Sequence, residues 1–327
     1  MSATSEEKTR PEAHPEPTEA DFILRRYKGQ KPPAPDWFNK AIAAPAKEGR
    51  VDVQGASINW RQWGDPSKPG ILLVHGNGAH AHWWDFIAPF FADDYFVVAP
   101  DFSGMGDSDW RTTYTRVAFC EEQVAVAEAA GLFDHETKPL IIAHSFGGLI
   151  ALHTIMDETG NRFGGALIVD SRIDPPGTDG PRPPVRSRPN RVYPTVEAAL
   201  ERFRLAPLQP CDNHYAVDYI ARHSLKATVD EDGKPGFVWK FDPSIFASML
   251  DEWDDFQLTK INSDCPVIFM RGEKSLLADP AVAAHVQTLT TPPAHIITIP
   301  DAHHHVMLDQ PLAFVSAVRS LLPVWPG

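Results

Sequence analysis

The chain has 327 residues, of which 43% are hydrophobic and 22% are charged, a composition typical of a globular protein with a sizeable core. Its formal net charge of −13 argues against nucleic acid as a partner, because phosphate binding needs clustered Lys and Arg. No run approaches the roughly 18 apolar residues of a membrane helix. Residues 1–22 are polar and acidic, unlike a signal peptide, so we expect a cytoplasmic protein without a membrane partner.

Three cysteines are spread along the chain at Cys120, Cys211 and Cys265. Their odd number and wide spacing fit neither a disulfide framework nor a zinc site, so we expect them in the core. The sequence leaves the oligomeric state open, a dimer included.

The N-terminal segment, residues 1–35, is rich in Pro, Glu, Thr and Lys, which predicts a disordered or extended arm. Two β-rich runs flanking Gly55 then predict a hairpin. Six short apolar runs follow, each bounded by Gly, Pro or Asp: 71–76, 95–101, 139–145, 166–171, 266–272 and 295–301. Most intervals between them fit a helix. This alternation predicts an α/β fold with a mostly parallel sheet covered by helices on both faces.

Residues 172–258 interrupt the alternation with a Pro- and Arg-rich stretch followed by a helical pattern. An insertion of this length between two strands is typical of a lid, so we predict a helical cap over the sheet's edge. The core then comprises residues 36–171 and 259–327.

Ser145 lies in the stretch L-I-I-A-H-S-F-G-G-L, residues 140–149, where a buried strand gives way to a helix. A sharp turn there exposes the hydroxyl beside the helix N-terminus, and it requires small residues two before and two after the serine. Ala143 and Gly147 meet that requirement, although the usual motif has glycine at both positions. The alternative is a serine that only caps the helix.

A second loop, H-G-N-G at residues 75–78, follows an earlier strand. It offers the N–H of Asn77 as an oxyanion donor beside the N–H of Phe146; the alternative is a plain strand-ending turn. Late in the chain, P-D-A-H-H-H-V-M-L-D-Q-P at residues 300–311 supplies histidines after the last predicted strand.

These motifs, with D-F-S-G-M-G-D-S at 101–108, resemble the α/β-hydrolase superfamily, specifically its serine esterase and lactonase-like branch with a cap after the sixth strand. The resemblance covers about residues 50–325. The family's ending G-H-x-x-x-x-E-x-P aligns Asp309 with its acid and so implies His304 as the catalytic base. His303 and His305 are then bystanders. A metal site is not expected, since adjacent histidines point in different directions and no carboxylate cluster accompanies them.

The catalytic acid departs from the family pattern. Relatives usually carry it as G-x-x-D after the seventh strand, where this chain has Ser275. Some branches take the acid from the end of the sixth strand, and Asp170 occupies that position. We rank Asp170 first, with Ser275 as its polar neighbour, and keep Glu273 and Asp279 as alternatives.

The resemblance implies cofactor-free acyl transfer on a carboxylic ester, lactone or thioester, with Ser145, His304 and the acid as a triad. An aspartate nucleophile would instead indicate epoxide or haloalkane hydrolysis. C–C bond hydrolysis and cofactor-independent oxygenase or perhydrolase chemistry use the same framework, and a non-catalytic small-molecule receptor is a third alternative.

Arginines concentrate in the insertion of this acidic protein. We expect Arg202 and Arg204, on a predicted helix, to bind an anionic group of the substrate. The alternative is a solvated basic face.

Overall fold

The computed structural model describes residues 17–178 and 189–325. Ten strands lie in the described chain: β1 (Lys47–Val53), β2 (Ala56–Trp63), β3 (Gly70–Val74), β4 (Phe96–Pro100), β5 (Leu140–His144), β6 (Gly165–Val169), β7 (Leu225–Val229), β8 (Pro235–Trp239), β9 (Val267–Gly272) and β10 (His295–Ile299). Eight of them form one sheet in the order β1-β2-β4-β3-β5-β6-β9-β10. Within this sheet the β4–β3, β3–β5, β5–β6, β6–β9 and β9–β10 pairs are parallel, while β1–β2 and β2–β4 are antiparallel.

The sheet confirms the predicted fold class. Each of the six apolar runs forms a strand, and the two runs around Gly55 pair as the β1–β2 hairpin. Strands β3, β4 and β6 are buried at every position, which is why their sequences are continuously apolar rather than alternating.

Nine α-helices lie in the described chain: α1 (Asp36–Ile42), α2 (Arg116–Ala129), α3 (Phe146–Met156), α4 (Val196–Leu200), α5 (His214–His223), α6 (Ile245–Ser248), α7 (Pro280–Gln287), α8 (Val306–Asp309) and α9 (Pro311–Leu321). Successive strand residues join two different apolar clusters, since Leu72 belongs to the cluster that includes Phe119 of α2 and Leu73 to the one that includes Phe314 of α9. Neighbouring side chains of a strand point to opposite faces, so helices cover both faces of the sheet.

The predicted cap segment lies between β6 and β9, and part of its Pro- and Arg-rich stretch, residues 179–188, is outside the described chain. The described part carries the short helices α4, α5 and α6 and also the antiparallel hairpin β7–β8. It meets the core where the N–H of Gly106 donates to the carbonyl of Lys240 at 3.0 Å and Tyr114 donates to Asp242 at 2.6 Å. The boundaries 172–258 stay a prediction.

Of the predicted N-terminal arm, residues 1–16 lie outside the described chain. Residues 17–35 form two 3₁₀ turns and bury the side chains of Phe22, Ile23 and Leu24. The Tyr27 hydroxyl lies 2.8 Å from Nδ1 of His214, the first residue of α5. The described part of the arm therefore packs against the insertion.

The three cysteines are free and buried, as expected, and burial raises the pKa of both Cys120 and Cys265 to about 11. Within residues 17–178 and 189–325, no helix combines the length and apolar character required to cross a membrane.

Buried histidines should make the stability depend on pH. Burial lowers the pKa of His80, His144 and His305 well below the usual value, so the folded chain keeps these rings neutral. The unfolded chain takes up their protons below about pH 6.5, which favours unfolding as the pH falls. Between pH 6.5 and 5, each ring that stays neutral in the folded chain lowers the free energy of unfolding by up to about 2 kcal/mol.

We expect His80→Gln, at a ring that pairs with the Ser224 hydroxyl at 2.8 Å, to lose less unfolding free energy than the wild type between pH 7 and pH 5. Urea titrations at both pH values measure that difference. The matched control is His295→Gln, at an exposed position of β10. Equal pH dependence in His80→Gln and wild type would contradict the prediction.

Candidate active site

Ser145 joins β5 to α3 in a backbone conformation that few residues adopt, with φ of 54° and ψ of −122°. Its N–H donates to the carbonyl of Val169 on β6 at 2.8 Å, and its carbonyl accepts from the hydroxyl of Ser171 at 2.7 Å. These bonds hold the strained turn in place. Residues 141–144 and 146–150 are buried, whereas Ser145 is partly exposed, so the turn lifts this residue out of the core.

The loop after β3 lies directly against this turn. A Cβ on Gly147 would come within 2.3 Å of the carbonyl oxygen of His75. A Cβ on Gly76 would lie 3.0 Å from Cβ of Ser145. The backbone of His75 leaves no room for a side chain at Gly147, which explains the requirement for a small residue two after the serine, and the side chains of His144 and Ser145 crowd Gly76. The fully buried Ala143 shows that one methyl group fits on the strand side.

His304 and Asp170 form a buried pair. Nδ1 of His304 lies 2.8 Å from Oδ1 of Asp170. The same oxygen accepts from the hydroxyl of Ser275 at 2.5 Å, and Oδ2 accepts from the N–H of Gly272 at 2.7 Å. Three donors thus surround a carboxylate that is 1% exposed, so its charge is compensated without water. The structure brings together Asp170, Ser275 and His304, as the sequence predicts.

The two other candidate acids make their contacts elsewhere. Asp279 precedes α7 and accepts from the N–H groups of Ala281 and Val282 at 2.8 and 2.9 Å, as expected for a helix cap. Glu273 accepts from the N–H of Asp301 at 3.0 Å. Each of these two carboxylates therefore binds backbone N–H groups of a nearby segment.

Asn77 and Phe146, the predicted oxyanion donors, are each next in sequence to a residue of the serine turn or its neighbouring loop. Phe146 follows it as the first residue of α3. Asn77 follows Gly76, the residue whose backbone passes so close to Ser145 that a side chain there would press on the serine Cβ. The side-chain oxygen of Asn77 is buried and has no hydrogen-bond partner within the described chain.

Three buried histidine rings, His304 and two neighbours, form a cluster that the sequence does not predict. His144, His304 and His305 each offer a ring nitrogen, and these nitrogens lie within 4.8 Å of one another. The grouping could hold a metal ion by distance, although His304 already engages Asp170 and Nε2 of His144 lies 3.0 Å from the His304 carbonyl. Burial lowers the pKa of His144 and His305, so both rings beside His304 are neutral.

Of the two predicted bystanders, His305 packs against Trp83 with ring centroids 5.2 Å apart. His303 is partly exposed and its Nδ1 lies 3.3 Å from Asp309. The sequence signal for the cluster of His144, His304 and His305 is His144, which directly precedes Ser145 in the A-H-S motif.

Arg202 and Arg204 do not lie on a helix, because α4 ends at Leu200, so the helix predicted at these two positions is wrong. Both side chains are exposed. The guanidinium of Arg202 lies 5.3 Å from the ring centre of Phe22, which belongs to the N-terminal segment. The described contacts therefore place Arg202 against the arm.

Aromatic residues of the insertion cover the first residue of α3, the helix that follows the serine. The sequence did not predict this contact. The ring of Phe146 contacts Phe246 and Phe256, with centroid distances of 5.7 and 6.3 Å. The ring of Phe241 lies beside the H-G-N-G loop, where a Cβ on Gly78 would be 3.8 Å from it. The insertion thus presents an apolar wall near the serine.

The fold, the strained serine and the buried Asp–His pair agree with the comparison to known families. The sequence profile described as "Alpha/beta hydrolase family" matches residues 71–318. The chain belongs to this family. Esterase Rv0045c of Mycobacterium tuberculosis is 25% identical over 285 residues, which cover 83% of this chain and 88% of the relative.

Two further similarities extend over most of the chain. The mouse sn-1-specific diacylglycerol lipase ABHD11 is 23% identical over 273 residues, covering 79% of this chain and 82% of the relative. The solved thioesterase domain from the curacin biosynthetic pathway superposes with a TM-score of 0.66 at 20% identity, covering 84% of this chain and 99% of that domain. At this identity the structural likeness shows the shared fold alone.

Proposed function

We propose that this α/β hydrolase cleaves a carboxylic ester through an acyl-enzyme intermediate. Ser145 is the nucleophile, His304 is the general base, and Asp170 is the carboxylate of the triad that orients and stabilises His304. The observation that carries the proposal is the buried contact of 2.8 Å between Nδ1 of His304 and Asp170. It fixes the tautomer that leaves Nε2 unprotonated and able to accept the serine proton.

In the proposed reaction, the hydroxyl oxygen of Ser145 attacks the ester carbonyl carbon while His304 accepts the hydroxyl proton. The tetrahedral intermediate then collapses, His304 returns the proton to the departing alkoxide, and the alcohol leaves. Water then attacks the acyl-enzyme while His304 accepts its proton, and His304 returns the proton to Ser145 as the carboxylic acid product leaves. Asp170 stabilises the imidazolium in both halves.

Charge on the carbonyl oxygen is stabilised by N–H groups in this proposal. The N–H of Phe146 opens the 11-residue helix α3, where the helix dipole also favours negative charge. The N–H of Asn77 is the second donor, supported by the contact between its loop and the serine turn. Each step uses side chains and N–H groups of this chain, so the proposed chemistry requires no cofactor.

The substrate class rests on the aromatic wall and on the named relatives. Phe246 and Phe256 cover Phe146, the residue next to the nucleophile, which favours an apolar acyl or alcohol group. Relatives named as an esterase and a lipase support an ester as the substrate.

A fluorophosphonate probe and a panel of p-nitrophenyl esters of increasing acyl length test the proposal. We expect the probe to label Ser145, located by mass spectrometry of the digested protein, and the panel to be hydrolysed with a rate that rises with acyl length. Labelling at another residue would contradict the assignment of the nucleophile. Labelling at Ser145 without turnover of any ester, lactone or thioester would instead favour C–C hydrolysis, oxygenase chemistry or a receptor.

A further inference from the structure

Gln209 is a buried residue of the insertion that reaches the loop carrying His304. It lies between α4 and α5 and is 7% exposed. Its Nε2 donates to both carboxylate oxygens of Asp309, at 3.1 and 3.0 Å. Its Oε1 accepts the N–H of His305 at 3.1 Å. A single amide therefore bridges both ends of the segment 305–309, immediately after the base.

Asp309 needs these donors. Its side chain is 5% exposed, and burial raises its pKa. It also accepts from the N–H of His303 at 2.7 Å. Hydrogen bonds from Gln209 and His303 compensate a carboxylate that burial would otherwise penalise, and they tie it to the residues on either side of His304.

A second insertion residue strengthens the same attachment. Nδ2 of Asn213 donates to the carbonyl oxygens of Leu308 and Asp309 at 2.6 and 3.0 Å. Its own oxygen accepts from the hydroxyl of Tyr215 at 2.8 Å, which fixes the amide orientation. The loop that carries the base is thus bonded to the insertion through side-chain amides as well as to the sheet.

The supports of His304 divide into two kinds. Asp170 on the sheet binds the ring at Nδ1, and His144 on the sheet binds the carbonyl oxygen. The following peptide N–H is held by Gln209, from the insertion. The sheet side therefore holds both the ring and the carbonyl oxygen of His304, while the insertion holds the backbone segment that follows.

We propose that Gln209 is a positioning residue that couples the insertion to the base, so that seating of the insertion sets His304 at its working distance from Ser145. The inference rests on the proposed function of Ser145 and His304. A displacement of a catalytic group by about 1 Å can cost roughly 100-fold in rate, so loss of this bridge should act on the chemical step rather than on substrate binding.

The first test is Gln209→Met, which keeps the length of the side chain and removes all three hydrogen bonds. We expect kcat for p-nitrophenyl ester hydrolysis to fall about 10- to 100-fold with KM within about twofold of wild type. The rate of Ser145 labelling by the fluorophosphonate should fall by a similar factor, because labelling also needs the base. Active sites are counted by complete labelling, so that misfolded protein does not enter kcat.

The matched control is Gln257→Met, the same substitution in the same insertion. Gln257 accepts from the N–H of Gly177 at 3.0 Å and donates to the carbonyl of Thr178 at 2.9 Å, so it too loses side-chain hydrogen bonds. None of its described bonds joins the segment that carries His304. We expect its kcat to stay within about twofold of wild type.

The second test is Gln209→Glu, which also covers the case in which the methionine variant fails to fold. When protonated, Glu can donate to Asp309 and accept from His305 as Gln does; when ionised, it repels Asp309. Titratable groups around this position are Cys211, His303, His305 and Asp309. Two carboxyls in contact share a proton more readily as the pH falls. The ratio of variant to wild-type kcat should therefore rise toward low pH.

A purely structural role would give a lower melting temperature with kcat per active site unchanged and a pH-independent ratio, and that result would overturn the inference. So would equal effects of the Gln209→Met and Gln257→Met substitutions. Failure of the proposed function is separate, because it would appear in the wild type as absent turnover and absent labelling of Ser145.

Discussion

We expect Ser145→Ala to lower kcat/KM for the best ester of the panel by on the order of 10⁶-fold and to abolish fluorophosphonate labelling. The expected loss is this large because a triad acts as a unit: without the hydroxyl, neither His304 nor Asp170 has a proton transfer to assist. Residual catalysis above water would come from the N–H groups of Asn77 and Phe146 and from substrate binding. Steady-state kinetics with active-site titration measures the loss.

The substitution should leave the fold intact, which makes the kinetic result interpretable. Alanine keeps the Cβ, so the strain at φ of 54° is unchanged, and the backbone bonds of Ser145 to Val169 and Ser171 do not involve its hydroxyl. The matched control is Ser316→Ala on the exposed face of α9, which should retain full activity. Activity within tenfold of wild type in Ser145→Ala would remove the serine from the mechanism.

The sheet could be predicted because burial on both faces leaves a direct trace in sequence. Runs such as Ile71–Val74 and Gly165–Val169 are apolar throughout, and their bounding Gly, Pro and Asp residues mark the strand ends. The serine turn was equally visible, because close approach to His75 requires glycine at position 147. In the strands and the serine turn, the local backbone conformation and the packing of the core both require the same residue types.

The contacts formed by the insertion could not be predicted from the sequence in the same way. Gln209 is one polar residue in an irregular segment, and its role depends on how the insertion seats against Asp309. The packing of Phe22 beneath Arg202 is likewise a contact between distant segments. Short irregular segments lack the periodicity from which partners can be inferred, so the predicted helix at Arg202 was wrong and the substrate role proposed there has no support from the described contacts.

Two residues of the proposed site have backbone conformations that are unfavourable for non-glycine residues. In the described chain, five non-glycine residues have positive φ: Lys28, Gln54, Ser145, Asp170 and Asp301. Two of them are the proposed nucleophile and acid, which end the adjacent strands β5 and β6. Each such conformation costs on the order of 1–3 kcal/mol and persists only where surrounding bonds enforce it. At Asp170 the backbone N–H donates to the carbonyl of Met270 at 2.7 Å, while Gly272 and Ser275 hold the side chain.

The identity of the acid yields the second large effect. Asp170→Asn should lower kcat by about 10⁴-fold, the loss seen when a triad acid is made neutral. The carboxylate accepts from three donors, His304, Ser275 and Gly272, and an amide has only one oxygen. If that oxygen faces Gly272, the amide N–H₂ points at His304 and selects the tautomer protonated on Nε2, which cannot accept the serine proton.

The neighbouring positions provide the controls for Asp170→Asn. Ser275→Ala removes one donor to the acid but keeps its charge, so kcat should fall far less. Asp279→Asn keeps a side-chain oxygen for capping α7, so kcat should stay near wild type with at most a small change in stability. Glu273→Gln changes a carboxylate that accepts from the N–H of Asp301, and kcat should again be retained. Near-normal kcat in Asp170→Asn, with collapse in Glu273→Gln or Asp279→Asn, would place the catalytic acid after β9 rather than after β6.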